Sequence, residues 1–268
     1  MTSTPKPKHL TLAPDAIMIR TDNGGTSYGG FCWQPKGRWT VAPDWNPKPE
    51  CGNGLHGQHV SAGGFRGKWT KRAIACRIDA DKVVQIGDDK IKVRRAKIIA
   101  VNNLSCLPPM AFSGSLDLSV CTGLTRLPDG LTVGRSLYLS GCTGLTALPD
   151  GLRVGGWLDL SGCTGLTRLP DGLTVGGWLD LSGCTGLTCL PDGLTFGGSL
   201  YLSGCTGLTC LPDGLTFGGS LYLAGCTGLT CLPDGLTVGG SLYLAGCTGL
   251  TCLPDGLKTK HIYGWKNR

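Results

Sequence analysis

Apolar residues return at fixed offsets through residues 114–260, where seven units of 21 residues follow one another almost unchanged. In Gly198–Gly218, GSLYLSGCTGLTCLPDGLTFG, and in every other unit, the pattern reads L-x-L-x-x-C-x-x-L-x-x-L-P-x-x-L. The first unit carries it as Leu116, Leu118, Cys121, Leu124, Leu127, Pro128 and Leu131. A period of this length marks a solenoid, in which no coil buries its apolar face until the next coil is stacked on it. Leu-x-Leu alternation puts the two leucines on one side of a short strand and their neighbours on the other. Each coil is therefore expected to give one strand of a parallel sheet. The recurring proline lacks an N–H and stops helix propagation, so the opposite wall should hold only extended or 3₁₀ segments. Asp-Gly after the proline reads as a turn.

This repeat resembles the leucine-rich repeat, in the short Leu-Pro variety of bacterial effectors. Its LSGCTGLTxLP wording is also similar to repeats of plant resistance receptors. The resemblance implies a mainly β, leucine-rich-repeat solenoid with a parallel sheet and no regular convex helices, built to bind a partner. It also implies that Cys121 and its equivalents occupy the buried position facing the turn after each strand.

The solenoid is expected to span 96–268, with a degenerate first coil at 96–113, the seven repeats at 114–260 and a cap at 261–268. Leu104-Ser105-Cys106-Leu107-Pro108 matches Leu124–Pro128 at a spacing of 20. Ala96-Lys97-Ile98 would be the strand of that coil, continuing one sheet from the front domain into the solenoid. At the far end, Tyr263 and Trp265 fall where Leu242 and Leu244 fall one unit earlier, so aromatics are expected to cover the last layer.

Residues 1–95 read as a small β-rich or α+β domain. Ala16–Arg20, Arg38–Val41, Ala73–Ile78, Val83–Ile86 and Lys90–Val101 have strand-like alternation or β-branched content, between Gly/Pro-rich segments. Gly30-Phe31-Cys32-Trp33, Cys51-Gly52-Asn53-Gly54-Leu55-His56, Asp89-Lys90-Ile91 and Ala96-Lys97-Ile98-Ile99 resemble a small uncharacterised domain of phage and bacterial proteins. That resemblance implies a phage or prophage origin and carries no activity with it.

Charge divides the chain in the same place. Residues 1–103 hold 17 Lys/Arg against 8 Asp/Glu, a net of +9, whereas 104–268 hold 8 against 10, a net of −2. A basic front half fits an anionic partner or a solvated basic face. Fifteen cysteines invite a disulfide framework, but seven of them (Cys121, Cys142, Cys163, Cys184, Cys205, Cys226, Cys247) share one repeat position. An odd total at equivalent positions fits reduced thiols in a cytosol. The first twenty residues lack the apolar run of a signal peptide, and no stretch is long and apolar enough to span a bilayer, so a cytoplasmic location is expected.

Positions that vary between units are free to serve a partner. The outward strand positions read Ser115/Asp117, Ser136/Tyr138, Trp157/Asp159, Trp178/Asp180, Ser199/Tyr201, Ser220/Tyr222 and Ser241/Tyr243. Trp and Tyr dominate binding hot spots, which makes Trp157, Asp159, Trp178, Asp180, Tyr138, Tyr201, Tyr222 and Tyr243 the candidate partner-binding residues. Stacked aromatics can also serve the sheet alone, by cross-strand packing. Two further columns run beside them. Seven aspartates from Asp129 to Asp255 each stand alone before Gly, which fits turns rather than a calcium site. Cys189, Cys210, Cys231 and Cys252 replace Arg126, Ala147 and Arg168, so they are expected outside; neighbouring coils set them in a line rather than the tetrahedron of zinc.

In the front domain, Cys51, His56 and His59, with Cys32 or Cys76 as a fourth, are metal-ligand types at a spacing that matches no standard zinc module. Glu50, the one Glu of the chain, lies in a Pro-rich loop, which speaks against acid–base catalysis. Arg66, Lys68, Lys71 and Arg72 around Trp69 suit backbone contact plus base stacking on nucleic acid. The sequence thus points to a non-enzymatic, cofactor-free protein-binding module, a phage or bacterial factor engaging host or defence machinery. Nucleic-acid binding by the basic front domain, with the solenoid as scaffold, is the alternative.

Overall fold

One coil shows how the repeat becomes structure. In the second unit Leu137–Tyr138 forms a short strand, Ser140-Gly141 and Thr143-Gly144 turn the chain, and Leu148-Pro149 leads to the turn Asp150-Gly151. A second strand, Arg153–Val154, then meets the corner Gly155-Gly156 and hands the chain to the next coil. Leu137, Leu139, Cys142, Leu145, Leu148, Leu152 and Val154 all point inward and are buried. The computed structural model describes residues 16–22, 34–42, 55–59, 72–78, 83–86 and 90–265.

Two parallel sheets run along the solenoid, where the repeat pattern had predicted one strand per coil. The first has eight strands, from Leu116–Asp117 through Ser241–Tyr243 to His261–Tyr263. The second joins Ala111–Phe112, Thr132–Val133, Arg153–Val154, Thr174–Val175 and Thr195–Phe196, and resumes as the pair Thr216–Phe217 and Thr237–Val238. Leu131-Thr132-Val133 already alternates apolar, polar and apolar, which is the signal of this second strand. Its interruption falls where phenylalanine replaces valine, with the Phe196 and Phe217 rings 4.9 Å apart in neighbouring layers. No helix occurs among the described residues, and none of the chain described is long and apolar enough in helical form to cross a membrane.

From the first repeat to the seventh the strands of the stack pair at a constant offset of 21 residues. Leu137 pairs with Leu116 and Leu158, and Leu200 with Leu179 and Leu221. At the corners the backbones approach too closely for a side chain: a Cβ on Gly176 would strike the Gly155 carbonyl. In the turn after the first strand, Gly141, Gly162 and Gly183 take φ near +70. The first unit has Val120 there instead, at φ 54, a conformation strained for a β-branched residue.

The front domain is one seven-stranded sheet of order β2-β7-β4-β1-β3-β6-β5, antiparallel throughout. Its strands are β1 (Ile17–Asp22), β2 (Trp39–Val41), β3 (Leu55–His59), β4 (Arg72–Ile78), β5 (Val83–Ile86), β6 (Lys90–Val93) and β7 (Arg95–Val101). The long candidate at 90–101 is two strands broken at Arg94, and β3 had no counterpart among the predicted strands. One face packs Met18, Ile74, Cys76, Ile78, Ile91, Val93, Ala96 and Ile98 into a core of its own. The other face supplies Ile19, Ala73, Ala75 and Ala100 to the solenoid core.

The expected continuous sheet is therefore replaced by a lid. β7 pairs with β4 and β2, not with the first coil, so Ala96–Ile98 belongs to the front sheet. Asn102, at φ 61, turns the chain out of β7, with its N–H donating to the Ala73 carbonyl at 2.7 Å and its Oδ1 accepting from the Ala73 N–H at 3.1 Å. Asn103 then bridges Arg126, a register of 23 that displaces Cys106 from the place of Arg126. Small residues on the capping face let the sheet sit flat on the leucine layer, which would otherwise meet water.

At the far end the outcome also differs from expectation. Thr237 bridges Lys258 but Ser241 pairs with His261, so the last corner is one residue shorter. That shift sends Tyr263 outward beside Tyr243 and puts Ile262 in the leucine row, while Trp265 does pack against the core.

Val120→Gly is expected to relieve strain of about 1 kcal/mol, after the entropic cost of glycine, and to raise the urea midpoint. Gly176→Ala forces two backbones apart and should cost about 1–3 kcal/mol of stability, lowering the midpoint. Equilibrium unfolding followed by circular dichroism measures both, and a Gly176→Ala midpoint equal to the parent would contradict the close corner.

Candidate functional site

Outward side chains of the first sheet form two columns, and the aromatic ones join into a single run. Trp157 and Trp178 stack 4.9 Å apart with their planes 3° from parallel. Trp178 meets Tyr201 at 6.0 Å and 54°, and from there Tyr201, Tyr222, Tyr243 and Tyr263 stack at 4.5, 4.5 and 4.9 Å. The spacing is set by the coil repeat, because parallel in-register strands lie about 4.8 Å apart. Trp157 and Trp178 stay 47% and 45% exposed. Rings stacked face to face along the axis shield one another's faces and turn their edges and hydroxyls to the solvent. Tyr138 stands apart from the run, because Asp159 and Asp180 take the next two places in its column.

Those aspartates have local work that the sequence reading did not give them. Asp117, Asp159 and Asp180 each accept from a backbone N–H two residues on, at Ser119, Ser161 and Ser182, with distances of 2.9, 3.0 and 2.8 Å. Asp159 also accepts from the Ser161 hydroxyl at 2.7 Å. Carboxylates that bond their own turn hold it closed, so one oxygen of Asp159 and of Asp180 is already engaged beside each tryptophan. Serines of the other column tie coils together: Ser136 Oγ accepts from the Trp157 N–H at 3.1 Å and fixes the backbone that carries the indole.

Inside, the repeated cysteines form a second kind of ladder. Cys142, Cys163, Cys184, Cys205, Cys226 and Cys247 each donate their S–H to a leucine carbonyl of the preceding coil at 3.0–3.2 Å. Burial pushes the Cys163 and Cys205 thiols up to about 11 and Cys226 up to about 12, from an ordinary 9.0. Cys142 and Cys184 are raised further, burial again first, since a thiolate there would also face neighbouring thiolates. The outward column Cys189, Cys210, Cys231 and Cys252 is exposed and free, as is Cys106. The aspartates before Gly sit in turns, and among the described residues no group of three or more His, Cys, Asp or Glu could hold a metal.

In the front domain, Arg66, Lys68, Trp69 and Lys71 lie outside the described residues, as do Cys32, Glu50 and Cys51. His56 and His59 are on β3, Arg72 opens β4, and Cys76 is buried in the core of the front sheet. A different basic-aromatic cluster occupies the sheet. Trp39 on the edge strand β2 pairs with Lys97, which pairs with Arg77 on β4, so the three share one face. The Arg95 guanidinium sits 4.7 Å and the Lys97 ammonium 5.7 Å from the Trp39 ring centre, within cation–π reach. Trp39 is 38% exposed, and residues 34–42, 72–78 and 90–101 contain no Asp or Glu. Charge was legible in the sequence here, but its convergence on Trp39 depends on strand order. No protein-family model matches the chain, and neither a curated protein nor a solved structure is detectably similar to it.

The inner thiols give a pH signature. An unfolded chain releases these protons near pH 9, the folded chain only near 11 or above. Between those values the unfolded state binds fewer protons, so stability falls as pH rises, and it is fully retained below 9. The urea midpoint should be level to about pH 8.5 and drop from there toward pH 11. Cys163→Ala should shallow that slope; a midpoint that holds or climbs over the interval would count against the buried ladder.

Proposed function

We propose that the chain is a non-enzymatic recognition protein whose solenoid binds a protein partner along the aromatic run. One observation carries the reading: six rings from Trp157 to Tyr263, a stacked tryptophan pair meeting a stack of four tyrosines at a tilt, form a continuous outward stripe, with both tryptophans nearly half exposed. Soluble proteins seldom leave a contiguous apolar patch of this kind without a use. Because the rings present edges and hydroxyls, the stripe suits a broad, shallow partner surface that takes both apolar contact and hydrogen bonds. Ligands that need a ring face, such as a sugar or a base, find the faces within each of the two stacks covered by neighbouring rings. Kinship with leucine-rich repeats, a phage or bacterial setting and a cytoplasmic location accompany this proposal, on the strength of the repeat wording and of the front-domain motifs.

Trp157→Ala combined with Trp178→Ala should weaken partner capture strongly, since aromatic anchors at an interface centre typically cost at least about 2 kcal/mol when truncated. The melting temperature should move little, as both indoles lie outside the core. Capture by the full chain from a host lysate, with the double variant in parallel, decides it: an unchanged captured set places recognition elsewhere.

A second reading, nucleic-acid binding, is favoured by the Trp39 cluster rather than by Trp69. A tryptophan at a sheet edge with Arg95, Lys97 and Arg77 beside it offers stacking and phosphate contacts together. Single-stranded oligonucleotide should bind at 50 mM salt and lose affinity several-fold at 200 mM, in the manner of counterion release. Trp39→Ala with Arg95→Ala should remove most of it. Binding equal in parent and variant, or absent at low salt, would dismiss this reading.

A further inference from the structure

The outward thiols lie in a row that the solenoid repeats but the protein-binding proposal leaves unused. Cys189, Cys210, Cys231 and Cys252 are exposed on four consecutive coils, at one position of the wall between the turn after the first strand and the Asp-Gly turn. The backbone there is laddered from coil to coil: the Thr209 N–H donates to the Thr188 carbonyl at 3.1 Å, and the Thr230 N–H to the Thr209 carbonyl at 3.3 Å. The sulfurs of Cys189 and Cys210 hold the same place in their coils, since Thr188 Oγ1 meets Cys189 Sγ at 4.0 Å and Thr209 Oγ1 meets Cys210 Sγ at 3.9 Å, and the repeat puts Cys231 and Cys252 at the same offset of the next two coils. Sulfurs placed identically in successive coils are separated by the coil repeat, about 4.8 Å. Ring stacks elsewhere on the solenoid, at 4.5–4.9 Å, give the same repeat.

That separation discriminates between chemistries. A disulfide needs its two Cβ atoms within about 3.5–4.5 Å, so it would have to pull two in-register coils together. Zinc needs four ligands converging on a tetrahedron, and a straight row cannot supply them. Two metal–thiolate bonds of about 2.3 Å laid end to end span about 4.6 Å, close to the spacing the coils already provide. Soft thiolates select soft d10 ions, and the monovalent ones accept two ligands in a line. We propose that Cys189, Cys210, Cys231 and Cys252 bind soft monovalent cations of the Cu(I) and Ag(I) class, each ion held linearly between thiolates of adjacent coils. Four thiols make two pairs, Cys189/Cys210 and Cys231/Cys252. Each pair releases its two thiol protons on taking one ion, forming two sulfur–metal bonds and a site of net charge −1, with no change of oxidation state.

The inner column shows why location matters as well as spacing. Its thiols repeat at the same interval, but each S–H is given to a carbonyl and sealed from water among leucines. An ion from solution cannot reach them without opening the core. The outer row is reached directly, on a wall that the aromatic stripe does not use, so the two surfaces can serve at once.

The test keeps the number of thiols fixed and changes only their spacing. Full-length reduced protein is titrated anaerobically with Cu(I) against a chromogenic Cu(I) chelator, and a variant with all four positions changed to Ser sets the baseline from other thiols. The parent should take two ions above that baseline. Cys231→Ser with Cys252→Ser leaves neighbouring coils and should keep one. Cys189→Ser with Cys231→Ser leaves Cys210 and Cys252 two coils apart, roughly 10 Å, and should keep none. Equal binding by the two double variants, or a parent that does not exceed the baseline, overturns the proposal. Neither result touches the tryptophan variants, so failure here and failure of the protein-binding reading are separately visible.

Discussion

Everything in this molecule depends on the stacking of equivalent coils in register. A 21-residue coil has one layer of leucines and a ring of backbone groups that only the next coil can satisfy. The N–H of Leu137 donates to the Trp157 carbonyl at 2.8 Å and that of Leu158 to the Trp178 carbonyl at 2.9 Å, and the same bond recurs along the first sheet. Each inward leucine then lies on the leucine of the coil before it. A slip of one residue would turn the leucines outward and break every such bond together.

Register of this kind converts each repeat position into a straight column, and the chemistry of the column follows from which way it faces. Facing inward, cysteine becomes a sealed donor that links coils through leucine carbonyls. Facing outward on another wall, the same residue becomes an accessible row. Facing outward on the first sheet, tyrosine and tryptophan find their own kind one coil away and stack. Aspartate in the same place closes its own turn instead. Glycine corners are what allow the spacing, because side chains there would push successive backbones apart.

The ends of a stack cannot be satisfied by another coil, and this chain resolves them differently. At the front, a separately built antiparallel sheet lays Ala73, Ala75 and Ala100 on the first leucine layer while keeping an independent core on its other face. At the back, a shortened corner brings Ile262 into the leucine row and continues the tyrosine column with Tyr263. Past the edge of the solenoid, the capping face of the front sheet carries Trp39, Lys97 and Arg77, so the lid has a surface of its own.

The repeat period, the leucine and cysteine columns, the absence of helices from the described part of the solenoid and the outward placement of Trp157, Trp178, Tyr201, Tyr222 and Tyr243 were legible in the sequence, because a parallel stack maps each repeat offset onto one direction. The second sheet was legible in principle too, in Leu131-Thr132-Val133, but two-residue strands give too short an alternation to stand out against the stronger Leu-x-Leu signal. What the chain order could not supply was anything depending on non-repeating neighbours. The lid at the front, the register of 23 at Asn103, the one-residue shift before His261 and the meeting of Trp39 with Arg95 are examples. Repetition lets local sequence dictate long-range contacts, since the next coil is always the partner. Where repetition stops, strand order and the packing of unlike surfaces decide, and those exist only in the folded structure.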